Sequence, residues 1–255
     1  MIRCFHETLT DTTFSREAEV TFPGCDPRRQ AKLSTLLGFA VAVAGADYDA
    51  RELPYETLRA LGQVFLLSRM TLRIHQVPRL GDILTVATWE DGVQGVHMCR
   101  GCTMTDQEGN LRVSARSHWI LVDPENRKIL RPSAFTARKI QSAGLPLECP
   151  DCKKVLMPRE GLESLGQRRV VWSDLDGNGH VYSGNYGCIF WDYLPAELQT
   201  AAFRQFTVNY HKEATLGETL DLAGRREGDR YLMAGYGNGE VCFTAECTFG
   251  QQGQS

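Results

Sequence analysis

Leu36-Leu-Gly-Phe-Ala-Val-Ala-Val-Ala44 decides the fold of this chain, because read as a helix it is apolar on every face. Such a helix must be enclosed by other elements on all sides. The stretch forms the second half of a helix expected from about Arg28 to Ala46, after a strand near Glu17 to Phe22 and a break at Pro23, Gly24 and Asp26. Strand-like runs follow at Val64 to Ile74, Ile83 to Glu90, Val96 to Thr105 and Leu111 to Val122. Turn residues at Pro78-Arg-Leu-Gly-Asp82, Asp91-Gly92, Asp106 to Gly109 and Asp123-Pro124 separate them. Short strands at this spacing make an antiparallel sheet. With one helix beside them they imply an α+β unit, a sheet curled around a central helix.

The second half repeats the plan. A strand near Gln167 to Trp172 leads through a polar loop to a helix from about Ser183 to Tyr193, where Tyr186, Ile189, Phe190 and Tyr193 recur at helical spacing. Strands are expected at Phe203 to His211, Thr219 to Glu227, Arg230 to Tyr236 and Val241 to Phe249. Leu80-Gly-Asp-Ile-Leu84 matches Leu216-Gly-Glu-Thr-Leu220, and His75 and His211 fall at equal distances before these turns. Duplication of one sheet-and-helix unit accounts for this. Between the copies, Arg131 to Gly166 is proline-rich and has little strand pattern. The expected organisation is a first unit over residues 1–135, a linker over 136–165 with room for a short helix, and a second unit over 166–255.

The copies differ in chemistry. Asp174-Leu-Asp-Gly-Asn-Gly-His180 sets an acid, an amide and an imidazole, Asp176, Asn178 and His180, at alternate positions around two glycines. A tight loop of this composition aims short polar side chains at one point. It feeds the start of a helix, where unpaired amides favour negative charge. The first-half counterpart is read as Phe22-Pro-Gly-Cys-Asp26, which lacks the triplet, and Glu213 corresponds to Val77 by count from the Leu-Gly turns. One active site per chain is expected, with the first half as scaffold and binding wall. The calcium-loop look of Asp-x-Asp-Gly-Asn-Gly fails because the twelfth position from Asp174 is Asn185, not glutamate. Asp174 suits a turn or cap.

Composition narrows the classes. The formal net charge is −3 over 255 residues, so a global grip on nucleic acid is not expected. The longest apolar run, Leu36 to Ala46, is too short to span a bilayer. Arg3 precedes Cys4-Phe-His-Glu7 with no apolar signal core, so the chain is read as soluble and cytoplasmic. Nine cysteines, an odd number, argue against a complete disulfide framework. Cys99/Cys102 and Cys149/Cys152 have C-x-x-C spacing, but the first pair lies in an expected strand, where residues three apart point to opposite faces. Buried reduced thiols are expected rather than structural zinc, and no metal or cofactor.

Three regions together resemble the acyl-acyl-carrier-protein thioesterases, the bacterial and plant fatty-acyl type with two tandem hotdog domains. They are Leu66-Leu-Ser-Arg-Met-Thr-Leu-Arg73 with Pro78 to Asp82, Trp119 to Arg131 with its Ile-Leu-Val-Asp-Pro core, and Trp172-Ser-Asp-Leu-Asp-Gly-Asn-Gly-His-Val181 followed by Tyr186. The resemblance runs over nearly the whole chain in order. It implies catalytic roles for Asp176, Asn178 and His180, and for Glu213 in Tyr210-His-Lys-Glu213. The next position, cysteine in many plant members and once assigned as nucleophile there, is Ala214, which removes a cysteine mechanism at that position. Two asparagines that commonly follow His-Val in the family are here Tyr182 and Ser183.

Thioester hydrolysis needs an activated water or nucleophile and a donor for the developing oxyanion. No Gly-x-Ser-x-Gly elbow is present. The expected mechanism is water attack, with Glu213 or Asp176 taking the proton, His180 coupled to one of them, and Asn178 orienting water or substrate. Amides near Val181 to Gly184 would polarise the carbonyl, and direct attack by Asp176 is the alternative. Phe39, Val43, Leu67, Met70, Leu72 and Trp89 are candidates for lining an acyl slot, each otherwise ordinary core. Basic residues for docking an acidic carrier are sought at Arg28, Arg29 and Lys32, or at Arg168 and Arg169. The implied function is release of free fatty acid from acyl carrier protein in fatty acid biosynthesis, by a monomer or homodimer with no membrane or nucleic-acid partner. The alternatives are an acyl-coenzyme A thioesterase, a silent acyl-thioester-binding module and a hotdog dehydratase.

Overall fold

In a computed structural model, residues 6–250 are described. The first half comprises β1 (Glu7–Leu9), β2 (Thr13–Glu19), α1 (Leu33–Ala50), α2 (Tyr55–Ala60), β3 (Val64–Ile74), β4 (Ile83–Gln94), β5 (His97–Thr105), β6 (Leu111–Asp123) and β7 (Lys128–Leu130). The second comprises β8 (Glu163–Arg169), α3 (Asn185–Asp192), α4 (Ala196–Gln199), β9 (Phe203–Tyr210), β10 (Thr219–Glu227), β11 (Arg230–Gly237) and β12 (Glu240–Phe249). All strands join one antiparallel sheet in the order β1-β2-β4-β5-β6-β3-β9-β12-β11-β10-β8, with β7 on β6. The order β2-β4-β5-β6-β3 is mirrored by β8-β10-β11-β12-β9, so each half is one hotdog unit. The halves meet along β3 and β9, from Arg69↔Asn209 to Arg73↔Gln205. At the centre of this seam the buried Thr71 and Thr207 hydroxyls hydrogen-bond at 3.1 Å.

The inner face of the sheet closes on α1 and α3, which pack together in the core. Leu36, Leu37 and Val43 of α1 and Phe190 of α3 are fully buried among Met70, Leu72, Phe206 and Val208. Alternate residues of the central strands point outward, where a strap over residues 146–156 covers them. Asn209 Oδ1 accepts Val155 N at 2.7 Å, Ser114 Oγ donates to Glu148 O at 2.6 Å, and Cys152 Sγ donates to Arg116 O at 3.0 Å. Cys149 and Cys152 are therefore buried thiols, and burial pushes them up to about 11 and about 12. Among the described residues no group of three or more His, Cys, Asp or Glu side chains is placed to hold a metal ion.

Several expectations shift. The first helix starts at Leu33, because Arg28 to Lys32 form a loop, and it runs on to Ala50, because Asp47 is buried between Arg51 and Arg100 at 2.7 and 2.5 Å. Nor is it enclosed all round: Ala42 and Gly45 are exposed. The strand expected from Glu17 ends at Glu19, and Phe22–Gly24 is a 3-10 turn. Asp91-Gly92 is not a turn. The strand passes through a bulge between Glu90 and Val93, where Gly92 is left-handed (φ 87°), and turns at Gly95 instead. β8 begins at Glu163, inside the stretch expected as linker. Gln167 to Trp172 is strand only to Arg169, because Trp172–Asp174 forms a 3-10 turn.

Candidate active site

The loop after β8 is shaped by its acids. Asp174 Oδ2 accepts Val171 N at 2.8 Å and its Oδ1 accepts Arg168 Nη2 at 2.6 Å, which fixes the 3-10 turn. Asp176 Oδ1 accepts the amides of Asn178 at 2.8 Å and His180 at 3.3 Å, closing an Asx turn. Gly179 supplies the left-handed residue the turn requires (φ 80°). His180 then pairs in a short antiparallel bridge with Thr215. That bridge sets His180 beside Glu213, with Nε2 to Oε2 at 3.3 Å. Arg127, at the tip of the β6–β7 hairpin, lies 3.9 Å from the same carboxylate oxygen. The structure thus brings Asp176, Asn178, His180 and Glu213 into the wall of one pocket of about 370 Å³.

Three tyrosines that carried no site role in the sequence reading complete this wall. Tyr210 donates to Ser183 O at 3.0 Å, and its ring meets Tyr186 at 5.4 Å. Burial is the first cause raising Tyr182, Tyr186 and Tyr210 above the usual phenol value, so all three stay protonated donors. Tyr186 was visible as helical aromatic spacing, which fits core equally well, and Tyr182 and Tyr210 only as neighbours of the polar residues. The expectation of free amides over Val181 to Gly184 is half corrected. Val181 N donates to Ala214 O and Tyr182 N to Asp174 O, which leaves Ser183 and Gly184 N–H without a hydrogen bond among the described residues.

Of the six slot candidates, only Leu67 lines this pocket. Val43, Met70, Leu72 and Trp89 are core, at most 3% exposed, because their strand and helix faces point into the centre of each layer. Phe39 is half-buried and packs on that core. A second, mostly apolar cavity of about 320 Å³ adjoins the pocket and shares Val41, Phe65 and Trp119 with it. It continues past Ala44, Met98 and Ile140 to Tyr48, Glu90 and Arg100.

The true first-half counterpart of the loop is Asp26 to Gln30, not Phe22 to Asp26. Cys25↔Ala31 and Gln30↔Arg79 bridge as Leu175↔Val181 and His180↔Thr215 do. So the acid is present in both halves, and only the amide and imidazole are replaced, by Arg28 and Gln30. Arg28 and Lys32 line a pocket of about 490 Å³ with Cys188, Trp191 and Asp192, built on this counterpart loop. Arg28 pairs with Asp26 at 2.8 Å and Arg168 with Asp174, and neither suggested basic set lines the pocket of His180 and Glu213. The cations there are Arg127 and Lys212.

The N-terminal domain of acyl-ACP thioesterases matches residues 11–133 and the C-terminal domain matches residues 162–249. Oleoyl-acyl carrier protein thioesterases 1 and 2 of Arabidopsis thaliana, both chloroplastic, are 23% and 22% identical over 181 residues, 65% of this chain. The chain spans about half the length of these curated relatives, 49% and 48%. In fold it is similar to an acyl-ACP thioesterase from Bacteroides thetaiotaomicron (TM-score 0.83, 23% identity, 93% of this chain and 98% of that one). It is also similar to the 12:0-ACP thioesterase from Umbellularia californica (TM-score 0.76, 16% identity, 95% and 99%). No helix among the described residues is long and apolar enough to cross a membrane. The two family matches cover most of the chain in the order of its two hotdog halves, and the chain belongs to the acyl-ACP thioesterase family.

Proposed function

We propose that this protein hydrolyses fatty acyl thioesters of acyl carrier protein, releasing free fatty acid in fatty acid biosynthesis. The observation that carries the reading is the Glu213–His180 pair at 3.3 Å, in a pocket that adjoins an apolar cavity. The Glu213 carboxylate orients the imidazole, so the pair takes the proton of an attacking water and returns it to the leaving thiolate. Ser183 and Gly184 N–H and the Asn178 amide stabilise the oxyanion. Asp176 acts by holding the loop, since its Oδ1 is occupied by two amides and Asp26 does the same in the half without chemistry. The acyl chain passes Val41, Phe65 and Trp119 into the first-half cavity. Arg127 and Lys212 meet the acidic carrier. The division into a binding half, a linker and a catalytic half, and the cytoplasmic setting, belong to this proposal; the chloroplastic setting is that of the plant relatives.

Thiol release from a panel of carrier and coenzyme A thioesters tests it. Carrier-selective release, abolished by His180→Ala in a folded protein, is the expected result. Preference for coenzyme A would move the leaving group to a nucleotide carrier. No release from any thioester would overturn the reading.

A further inference from the structure

The apolar cavity runs along α1, which contributes Val41, Ala44, Gly45 and Tyr48. Seven residues of helical rise, ~10 Å, separate its end beside the catalytic pocket from its end at Tyr48. Glycine inside a helix is unfavourable, and α1 has two. Gly38 is explained by packing, because a Cβ there would lie 3.2 Å from Tyr182 Oη. At Gly45 nothing lies within 4 Å of the same atom. No neighbour requires glycine at that position, which lines the cavity where it meets solvent, and what glycine preserves there is open space.

One turn on, the cavity is closed by a fixed floor. The Tyr48 ring packs on Phe65 at 5.2 Å and Phe135 at 6.0 Å, with the Arg100 guanidinium 5.4 Å from its centre. Its hydroxyl donates to Glu90 Oε1 at 3.0 Å. Glu90 Oε2 in turn accepts Arg138 Nη2 at 3.2 Å and Gln141 N at 3.4 Å. Arg100 donates to Asp47 at 2.5 Å and to Thr88 at 3.2 Å. The floor is thus held from α1, β4, β5 and the segment after β7. A methyl group arriving there meets paired charges that offer it no apolar burial, and their partners do not release them.

We propose that Gly45 and Tyr48 are the residues that set acyl-chain length: Gly45 leaves the room that the last methylenes occupy, and Tyr48, locked by Glu90, fixes the last carbon accommodated. The proposal rests on the thioesterase reading and adds what limits its substrate. Ala44, 95% buried and lining the same cavity, belongs to the same turn.

The test is a chain-length profile on carrier thioesters from butanoyl to stearoyl, for wild type, Gly45→Leu, Ala44→Leu, Tyr48→Ala and Tyr48→Phe, each checked for folding by circular dichroism. Gly45→Leu and Ala44→Leu are expected to lower kcat/KM on the longest chain that wild type accepts by about tenfold, the worth of roughly two buried methylenes, and to leave the shortest unchanged. Tyr48→Ala is expected to admit chains longer by a similar increment, and Tyr48→Phe, which keeps the ring but loses its bond to Glu90, to shift the cut-off in the same direction by less. Profiles that stay in place, or fall in parallel at every length, overturn the proposal while leaving the hydrolysis reading intact. If wild type releases no thiol at all, the hydrolysis reading fails by itself. The same variants titrated with free fatty acids by calorimetry then decide the length proposal: a length dependence that Gly45→Leu and Ala44→Leu shorten supports it, and an unchanged one overturns it.

Discussion

Asp26 to Gln30 and Asp176 to His180 have nearly the same backbone and unlike chemistry. In each, an aspartate Oδ1 accepts the amides two and four residues ahead, at 2.8 and 3.0 Å in the first loop and 2.8 and 3.3 Å in the second. In each, the fifth residue bridges to a turn that opens a Leu-Gly pair. Where the second loop presents His180 to Glu213, the first presents Gln30, and Val77 stands at the place of Glu213. The Asx turn is common to both loops, which fits a scaffolding part for Asp176. On the proposed reading, what the second loop adds is a histidine at its end, facing one carboxylate in the segment after β9.

Exchanging residues between the loops tests this. His180→Gln, which installs the first-half residue, is expected to cut kcat/KM by about a thousandfold with the melting temperature nearly unchanged. Retained activity would show that the imidazole is dispensable. Glu213→Val should cost about a hundredfold by releasing the imidazole, and the double variant should cost little more than His180→Gln alone, because the two act as a unit. Thiol-release kinetics on the three proteins measure both effects.

Smaller effects concern stability. His118 is 3% exposed, and neither ring nitrogen has a hydrogen-bond partner. Burial, then the neighbouring His97 and Arg69, pushes it down to about 4. The unfolded chain binds the proton more readily, so stability is full above about pH 6.5 and is lost as pH falls toward 4. Its second-half counterpart is Thr248, paired with Gln205 as His118 is with Arg69, so the acid weakness belongs to the first half. Denaturant titrations of wild type and His118→Thr between pH 4 and 7 should show the variant's dependence flattened.

Asp26→Ala is expected to cost about 1 kcal/mol of stability and no activity, and Asp176→Asn should keep much of the activity because its amide oxygen accepts the same two bonds. A collapse of activity in Asp176→Asn would assign that carboxylate a chemical role. Least of all, Gly179→Arg should cost about 1 kcal/mol, because the left-handed residue of the first loop, Arg29 (φ 60°), already bears that strain. Arg29→Gly should recover a similar amount in chemical denaturation.

Strands were the legible part of this sequence. β3 and β10 lie where Gly-Asp and Gly-Glu turns bracket alternating residues, and turn chemistry is local. Helix ends were less legible. Whether Arg28 to Lys32 is helix depends on a bridge to Arg79, and whether the helix passes Ala46 depends on Arg100, some fifty residues away. The polar site could be located because its residues crowd one loop and one strand end. The cavity could not, because Leu67 and its neighbours Met70 and Leu72 look alike in sequence. The irregularity of β3 between Leu67 and Arg69 and the end of β9 at Tyr210 set the first beside open space and leave the others in the core.

The Thr71–Thr207 contact sits where a two-subunit ancestor would have placed its symmetry axis, and the ladder of β3 on β9 runs through it unbroken. Each half covers the β3 or β9 edge of the other, so an isolated half would expose that edge. Cut between Lys139 and Gly144, the chain should yield two fragments that melt as one species when mixed and aggregate when apart. Covalent linkage of the copies also ended the obligation that both remain identical. A change in one loop no longer had to be tolerated twice in the same molecule, and the two loops now carry unlike side chains on a shared backbone.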